Sequence, residues 1–193
     1  MKALVLTAPK QLCVQDIPVR EPEADEIVIQ VKACGVCGTD LHMFHGDKGA
    51  FDNKYPLIMG HEFAGVVTKV GAGAGRFKIG DHAAIDPNIY CGQCRACLKG
   101  DVHFCENMIG IGTTMSGGFA EYCTVKERAA YLVPQKLPFE YAAMMEPVSC
   151  CMHDNHGNRD CCECFAGNGQ LSAGQLYRRD KDEGSIRLGV GAE

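Results

Sequence analysis

Apolar and polar positions alternate with period two along much of the first half of the chain, and that spacing predicts strands. Lys2 to Leu6 is short and apolar, and Leu12 to Ile17 alternates. After a break at Pro18 to Pro22, Glu26-Ile27-Val28-Ile29-Gln30-Val31-Lys32-Ala33 alternates again. Such alternation suits sheets with one buried and one wet face. From Thr39 to His45 the residues favour a short helix, with Thr39 or Asp40 to cap its start and Gly46 to end it. A loop rich in Gly, Asp, Asn and Lys runs to Tyr55-Pro56. Phe63 to Val70 reads as a strand, Gly71 to Gly75 as a turn, and Phe77 to His82 as a turn feeding a strand at Ala83 to Asp86.

The period disappears over residues 87–110, where Cys, Gly and polar residues dominate. A lobe of that length without structure of its own needs an anchor inside a compact domain. Strand character returns at Gly118-Phe119-Ala120-Glu121-Tyr122-Cys123-Thr124-Val125. From Pro138 or Phe139 the pattern turns helical, carried by Ala142, Ala143, Met144 and Met145 up to Pro147. The end of a mainly β domain is therefore expected near residue 150. No internal repeat is visible.

Composition narrows the class. With 193 residues, 46% hydrophobic and 22% charged, the chain has the make-up of a soluble globular protein, enough for one domain and part of another. A formal charge of -5 argues against a nucleic-acid surface and so against a zinc-ribbon adaptor for nucleic acid. The opening apolar stretch is cut short by Thr7, Ala8 and Pro9, too soon for a signal peptide or a membrane span. A cytoplasmic protein without a membrane partner is expected. The count of 13 cysteines is odd and no export signal accompanies it, which favours metal binding over a disulfide framework. Cys13, Cys34 and Cys123, outside any cluster, are expected to be small buried side chains.

The strongest chemical signal is Cys91-Gly92-Gln93-Cys94-Arg95-Ala96-Cys97 followed by Cys105. Three thiolates at this spacing fold toward one centre, and a fourth closes a tetrahedron around a structural zinc with no open position. The alternatives are an iron–sulfur cluster or free thiols. Ferredoxin-like runs usually place a proline after the last cysteine, whereas Glu106 follows Cys105. A second, more dispersed set combines Cys37, His61 and an acid, with Asp40 and Glu62 both at hand. One thiolate, one imidazole and one carboxylate leave a position open, which is the catalytic arrangement. Asp40 is placed to orient the His61 imidazole. Taken without further context, Thr39 reads as a helix cap, and His42 and His45 as an exposed helical face.

Cys37-Gly38-Thr39-Asp40-Leu41-His42, Gly60-His61-Glu62, Gly80-Asp81, the four-cysteine lobe, Gly117-Gly118-Phe119-Ala120-Glu121-Tyr122 and Glu146-Pro147 follow one another in order. Together they resemble the zinc-containing medium-chain dehydrogenase/reductase family, in its sorbitol (polyol) and threonine dehydrogenase branch, over residues 1 to about 153. The resemblance implies a GroES-like barrel-type domain, mainly β with short helices, that carries one catalytic and one structural zinc. It implies Cys37, His61 and Glu62 at the catalytic zinc, with Glu62 a direct ligand or one that exchanges with water. Glu146 stands where the polyol branch uses a glutamate. Thr39 and His42 occupy the proton-relay positions. The implied activity is oxidation of a secondary alcohol, a sugar alcohol before threonine, with hydride transfer to NAD or NADP. Members are usually homo-oligomeric.

The family continues into a Rossmann domain, and here the chain departs from it. Residues 154–164 hold no apolar run of strand length, Gly167-Asn168-Gly169 lacks the third glycine, and Leu188 to Ala192 leaves no room for a helix. No cofactor-binding residue is found. Cys161-Cys162-Glu163-Cys164 is a poor metal site, because adjacent cysteines converge badly. Residues 151–193 are thus expected to be an aberrant or disordered tail. The alternative is a zinc-stabilised, non-catalytic fragment.

Overall fold

The computed structural model describes residues 1–47 and 54–155. The expectations for the segment beyond residue 155, including Cys161 to Cys164 and the glycine runs, lie outside the described residues.

Ten strands and four short helices make up the described chain, with all strand pairs antiparallel. β1 (Lys2–Ala8) lies between β2 (Gln11–Asp16) and β4 (Leu57–Ile58). A larger sheet runs in the order β10 (Ala130–Leu132), β6 (His82–Ile85), β5 (Phe63–Val70), β3 (Glu26–Cys34) and β9 (Tyr122–Lys126). The two sheets join where Ala3 bridges Ala120 and the Leu4 N–H donates to the Phe119 carbonyl at 2.8 Å. The mainly β fold class with short helices read from the sequence is the one observed.

The core lies where alternation brings one face of each strand inward. Ile27 and Ile29 of β3, Phe63 and Val67 of β5, Ala83 and Ile85 of β6, and Cys123 and Val125 of β9 form one buried cluster. The wet face expected for β3 is missing over its first half, since Glu26, Ile27, Val28 and Ile29 are all buried. Val28 shares its face with its partner Thr124, whose Oγ1 donates to the Arg20 carbonyl at 3.0 Å. The segment before β3 thus covers that side. β2 errs the other way: all six of its residues are exposed, Cys13 with them, because it is an edge strand. Cys123 is buried as expected and Cys34 is half-buried.

Helices fall close to their expected places. α1 (Gly38–His45) starts one residue early, with Cys37 as N-cap in place of Thr39 or Asp40. Residues 87–110 hold only fragments: β7 (Asn88–Ile89), α2 (Arg95–Lys99), a 3-10 turn at Val102–Phe104, and β8 (Ile109–Gly110), which pairs with β7. The C-terminal helix was expected to end at Pro147. Instead α3 (Phe139–Ala143) stops before Met144 and α4 (Met145–Asn155) runs through Pro147. Proline is tolerated there because the first-turn N–H groups have no intrahelical partner. The chain divides into two compact units, Met1–Glu146 and Pro147–Glu193. Among the described residues no helix is long and apolar enough to cross a membrane.

Candidate metal centres

Two groups of donor side chains converge within the first unit. The first is assembled by a single buried carboxylate. Asp40, 2% exposed in the first turn of α1, accepts the Cys37 N–H on Oδ2 at 2.9 Å and the Gly60 N–H on Oδ1 at 3.2 Å. An acid at this helical position reaches back to the N-cap N–H and favours the positive end of the helix. The second oxygen fastens the helix start, with Cys37, to the loop that carries His61.

That loop is held tightly. Gly60 has φ 88°, a conformation L side chains rarely adopt, and a Cβ there would lie 2.6 Å from the Phe119 ring. The Gly118 N–H donates to the Gly60 carbonyl at 2.7 Å and the Phe119 N–H to the Met59 carbonyl at 2.9 Å. Gly118 and Phe119, read as the start of a strand from sequence, therefore serve as a clasp on the His61 loop. Gly35 is held as well, its N–H donating to the Glu62 carbonyl at 2.8 Å.

The result is that donor atoms of Cys37, His61 and Glu62 all lie within 4.8 Å of one another. His61 is 7% exposed, and its Nδ1 has no hydrogen-bond partner, with Asp40 Oδ1 at 3.7 Å. Burial opposes a charged ring. A hydrogen bond with Cys37 and the charges of Asp40, Cys37 and Glu146 outweigh it and raise His61 to about 9. Burial pushes the Glu62 carboxyl up, against the opposing pull of His61 and Cys37. The neighbouring Cys34 thiol is pushed up to about 12 by burial, with Asp40 and Glu62 adding to the effect. The negative charges around His61 thus favour a positive charge on its ring. A thiolate, an imidazole and a carboxylate suit zinc with an open position, so the residues fit such an ion.

Other candidate residues stand around this point. Thr39 places Oγ1 3.8 Å from Cys37 Sγ. His42, one turn further along α1, is half-exposed with Nδ1 3.0 Å from Asp47 Oδ2. Asp47 drew no attention in the sequence. Glu146 opens α4 outside the converging set, although its charge acts on His61.

The second group is the cysteine lobe. Cys91 follows β7, Cys94 caps α2, Cys97 lies within α2, and Cys105 follows the 3-10 turn. Their sulfurs also fall within 4.8 Å of one another. Cys94 and Cys97 sulfurs are 3.4 Å apart and Cys91 and Cys97 sulfurs 3.9 Å. Backbone N–H groups aim at them: Cys91 N–H donates to Cys105 Sγ at 3.2 Å and Cys94 N–H to Cys91 Sγ at 3.4 Å. Backbone donors at Gln93 and Cys94 lower Cys91 to about 6. Desolvation, with the crowding of the other thiols, raises Cys97 to about 12. Four thiols cannot all ionise together without a cation between them. The donor set matches a closed tetrathiolate zinc.

Comparison with known proteins identifies the family of the domain. Residues 23–135 match the alcohol dehydrogenase GroES-like domain. Sorbitol dehydrogenase of Bacillus subtilis is 36% identical over 79% of this chain and 44% of its own length. L-threonine 3-dehydrogenase of a Chelativorans species is 35% identical over 79% of this chain and 45% of its own. A solved short chain alcohol dehydrogenase from Escherichia coli, complexed with NADH, superposes with a TM-score of 0.75 at 34% identity. That superposition covers 81% of this chain and 45% of the other. The chain thus spans less than half the length of these relatives.

Proposed function

Because this chain belongs to the alcohol dehydrogenase GroES-like domain family, we propose that residues 1–150 are the catalytic, zinc-holding domain of a dehydrogenase acting on a secondary alcohol. The substrate is a sugar alcohol, and NAD or NADP is the second substrate. The observation that carries this reading is the meeting of Cys37, His61 and Glu62 donors at one point inside an anionic, half-buried site. Cys37 and His61 hold the catalytic ion, Glu62 is a ligand that exchanges with water, and Glu146 supplies a further carboxylate. Cys91, Cys94, Cys97 and Cys105 hold a structural ion that fastens the lobe.

When bound, zinc supplies Lewis-acid polarisation of the substrate hydroxyl, and the nicotinamide supplies the hydride acceptor. The chain's own residues do the rest. Asp40 fixes the approach of helix start and histidine loop, so the donors are in place before any ion arrives. Thr39 Oγ1, beside Cys37 Sγ, would accept the hydroxyl proton while releasing its own toward the cofactor ribose and His42. His42, one turn toward solvent, carries that proton out. The resemblance to an L-threonine 3-dehydrogenase at similar identity supports a second reading, in which the alcohol is the hydroxyl of an amino acid.

Metal analysis of the purified chain tests the assignment. The expected content is two zinc ions per chain, one lost in Cys37→Ser or His61→Ala and the other in Cys97→Ser. Retention of both ions in Cys37→Ser would overturn the catalytic site. Calorimetric titration with NAD, followed by a panel of polyols and threonine, then separates the two substrate readings.

A further inference from the structure

The proton relay above uses His42, whereas Asp47, the carboxylate against its ring, has been given no role. The pair is built by the end of α1. Gly46, at φ 81°, turns the chain in the left-handed conformation, and a Cβ there would sit 2.9 Å from Pro9. The turn lets the Asp47 N–H donate to the His42 carbonyl at 3.0 Å. The same turn brings Asp47 Oδ2 to 3.0 Å from His42 Nδ1. Backbone and side chain thus tie the same two residues together twice, once on each side of the ring's root.

The chemistry of the pair decides a tautomer. An ionised carboxylate only accepts hydrogen bonds, so Nδ1 must carry the proton when it meets Asp47. In the neutral ring the lone pair then belongs to Nε2. A free imidazole prefers the opposite arrangement. Thr39 and His42 are three residues apart on α1 and share a helical face.

We propose that Asp47 is a positioning residue that holds His42 as the Nδ1–H tautomer. Nε2 is thereby kept as the proton acceptor on the route from Thr39 to solvent. The inference rests on the proton-relay reading given above and deepens it. The contribution of Asp47 to stability is small, since both side chains are about half exposed, 42% and 54%. Its contribution is to direction.

The test is a long-range nitrogen–proton NMR spectrum of the 15N-labelled full chain at a pH where the ring is neutral. His42 is assigned by its loss in His42→Gln. The expected result is Nδ1–H for wild type, the Nε2–H form in Asp47→Ala, and retention of Nδ1–H in Asp47→Glu, whose carboxylate still only accepts a bond. A thermal melt that stays within a few degrees of wild type shows that Asp47→Ala has not unfolded. Should Asp47→Ala melt early, Asp47→Ser, whose hydroxyl is too short to reach Nδ1 from this turn, takes its place and is expected to show the Nε2–H form. An Nε2–H ring in wild type, or an unchanged spectrum in Asp47→Ala, overturns the inference. The readout needs no metal or cofactor, so failure of the zinc assignment shows separately, as missing metal at Cys37 and His61.

Discussion

At the scale of single residues, the most consequential positions are those where one atom decides whether two elements meet. Gly60 is such a position: alanine there meets both a left-handed backbone and the Phe119 ring. Gly60→Ala is expected to cost about 2–3 kcal/mol, from overpacking and backbone strain together. Urea titration would measure it, and zinc uptake at the Cys37 site should fall with it. Glu26 is a second case. Burial disfavours its charge, but Arg20, the Glu23 N–H and Lys126 outweigh that and hold its carboxyl down to about 2. Because the folded value lies below the ordinary 4.5, the stabilisation is present above pH 4.5 and lost as pH falls toward 2. Glu26→Gln should destabilise the chain by about 1–2 kcal/mol at neutral pH and flatten part of its acid sensitivity. Equal losses for the variant at pH 3 and pH 7 would contradict this. None of these roles is written in residue type: Glu26 reads as a polar position in an alternating strand, and its burial follows from the segment folded over it.

Among the elements, the strands of the large sheet stand on their own hydrophobic contacts, whereas the cysteine lobe does not. β7 and β8 pair over two residues each and α2 has five residues with none buried. Isolated pieces this short are unstable in water. Chelation of metal is therefore expected to expose residues 88–110 to rapid amide exchange while β3, β5 and β9 remain protected, as hydrogen-exchange mass spectrometry would record. Uniform loss of protection across the sheet would contradict a local staple. The lobe was legible from sequence because its chemistry is local: cysteine spacing alone brings the thiols into reach. The α3–α4 break was not, because Pro147 stops a continuing helix but is compatible with the first turn of a new one.

For the molecule as a whole, metal, proton and fold are linked. His61 is raised to about 9 in the metal-free chain, above its ordinary 6.5. Its contribution to metal-free stability is present below pH 6.5 and lost as pH rises through 9. The same proton competes with an ion for the imidazole, so zinc affinity at the Cys37 site should weaken about tenfold per pH unit below pH 9, until other groups protonate. Zinc titrations at pH 6, 7 and 8 would test this, and a flat affinity would remove His61 from the ligand set. At saturating zinc, 100 times above the dissociation constant, the fold should gain about 2.7 kcal/mol. By itself the sequence determined β1, β2, β3, β5 and β6, the mainly β class, the four-thiol lobe and the family, since periodicity, close cysteine spacing and ordered motifs are properties of neighbouring residues. Only the tertiary structure decided that Cys37, His61 and Glu62 share one point, because Asp40 and the Gly117–Phe119 clasp join segments twenty or more residues apart. It also decided which faces are wet, leaving β2 open and β3 covered, and it paired His42 with Asp47 through a turn that only φ at Gly46 makes possible.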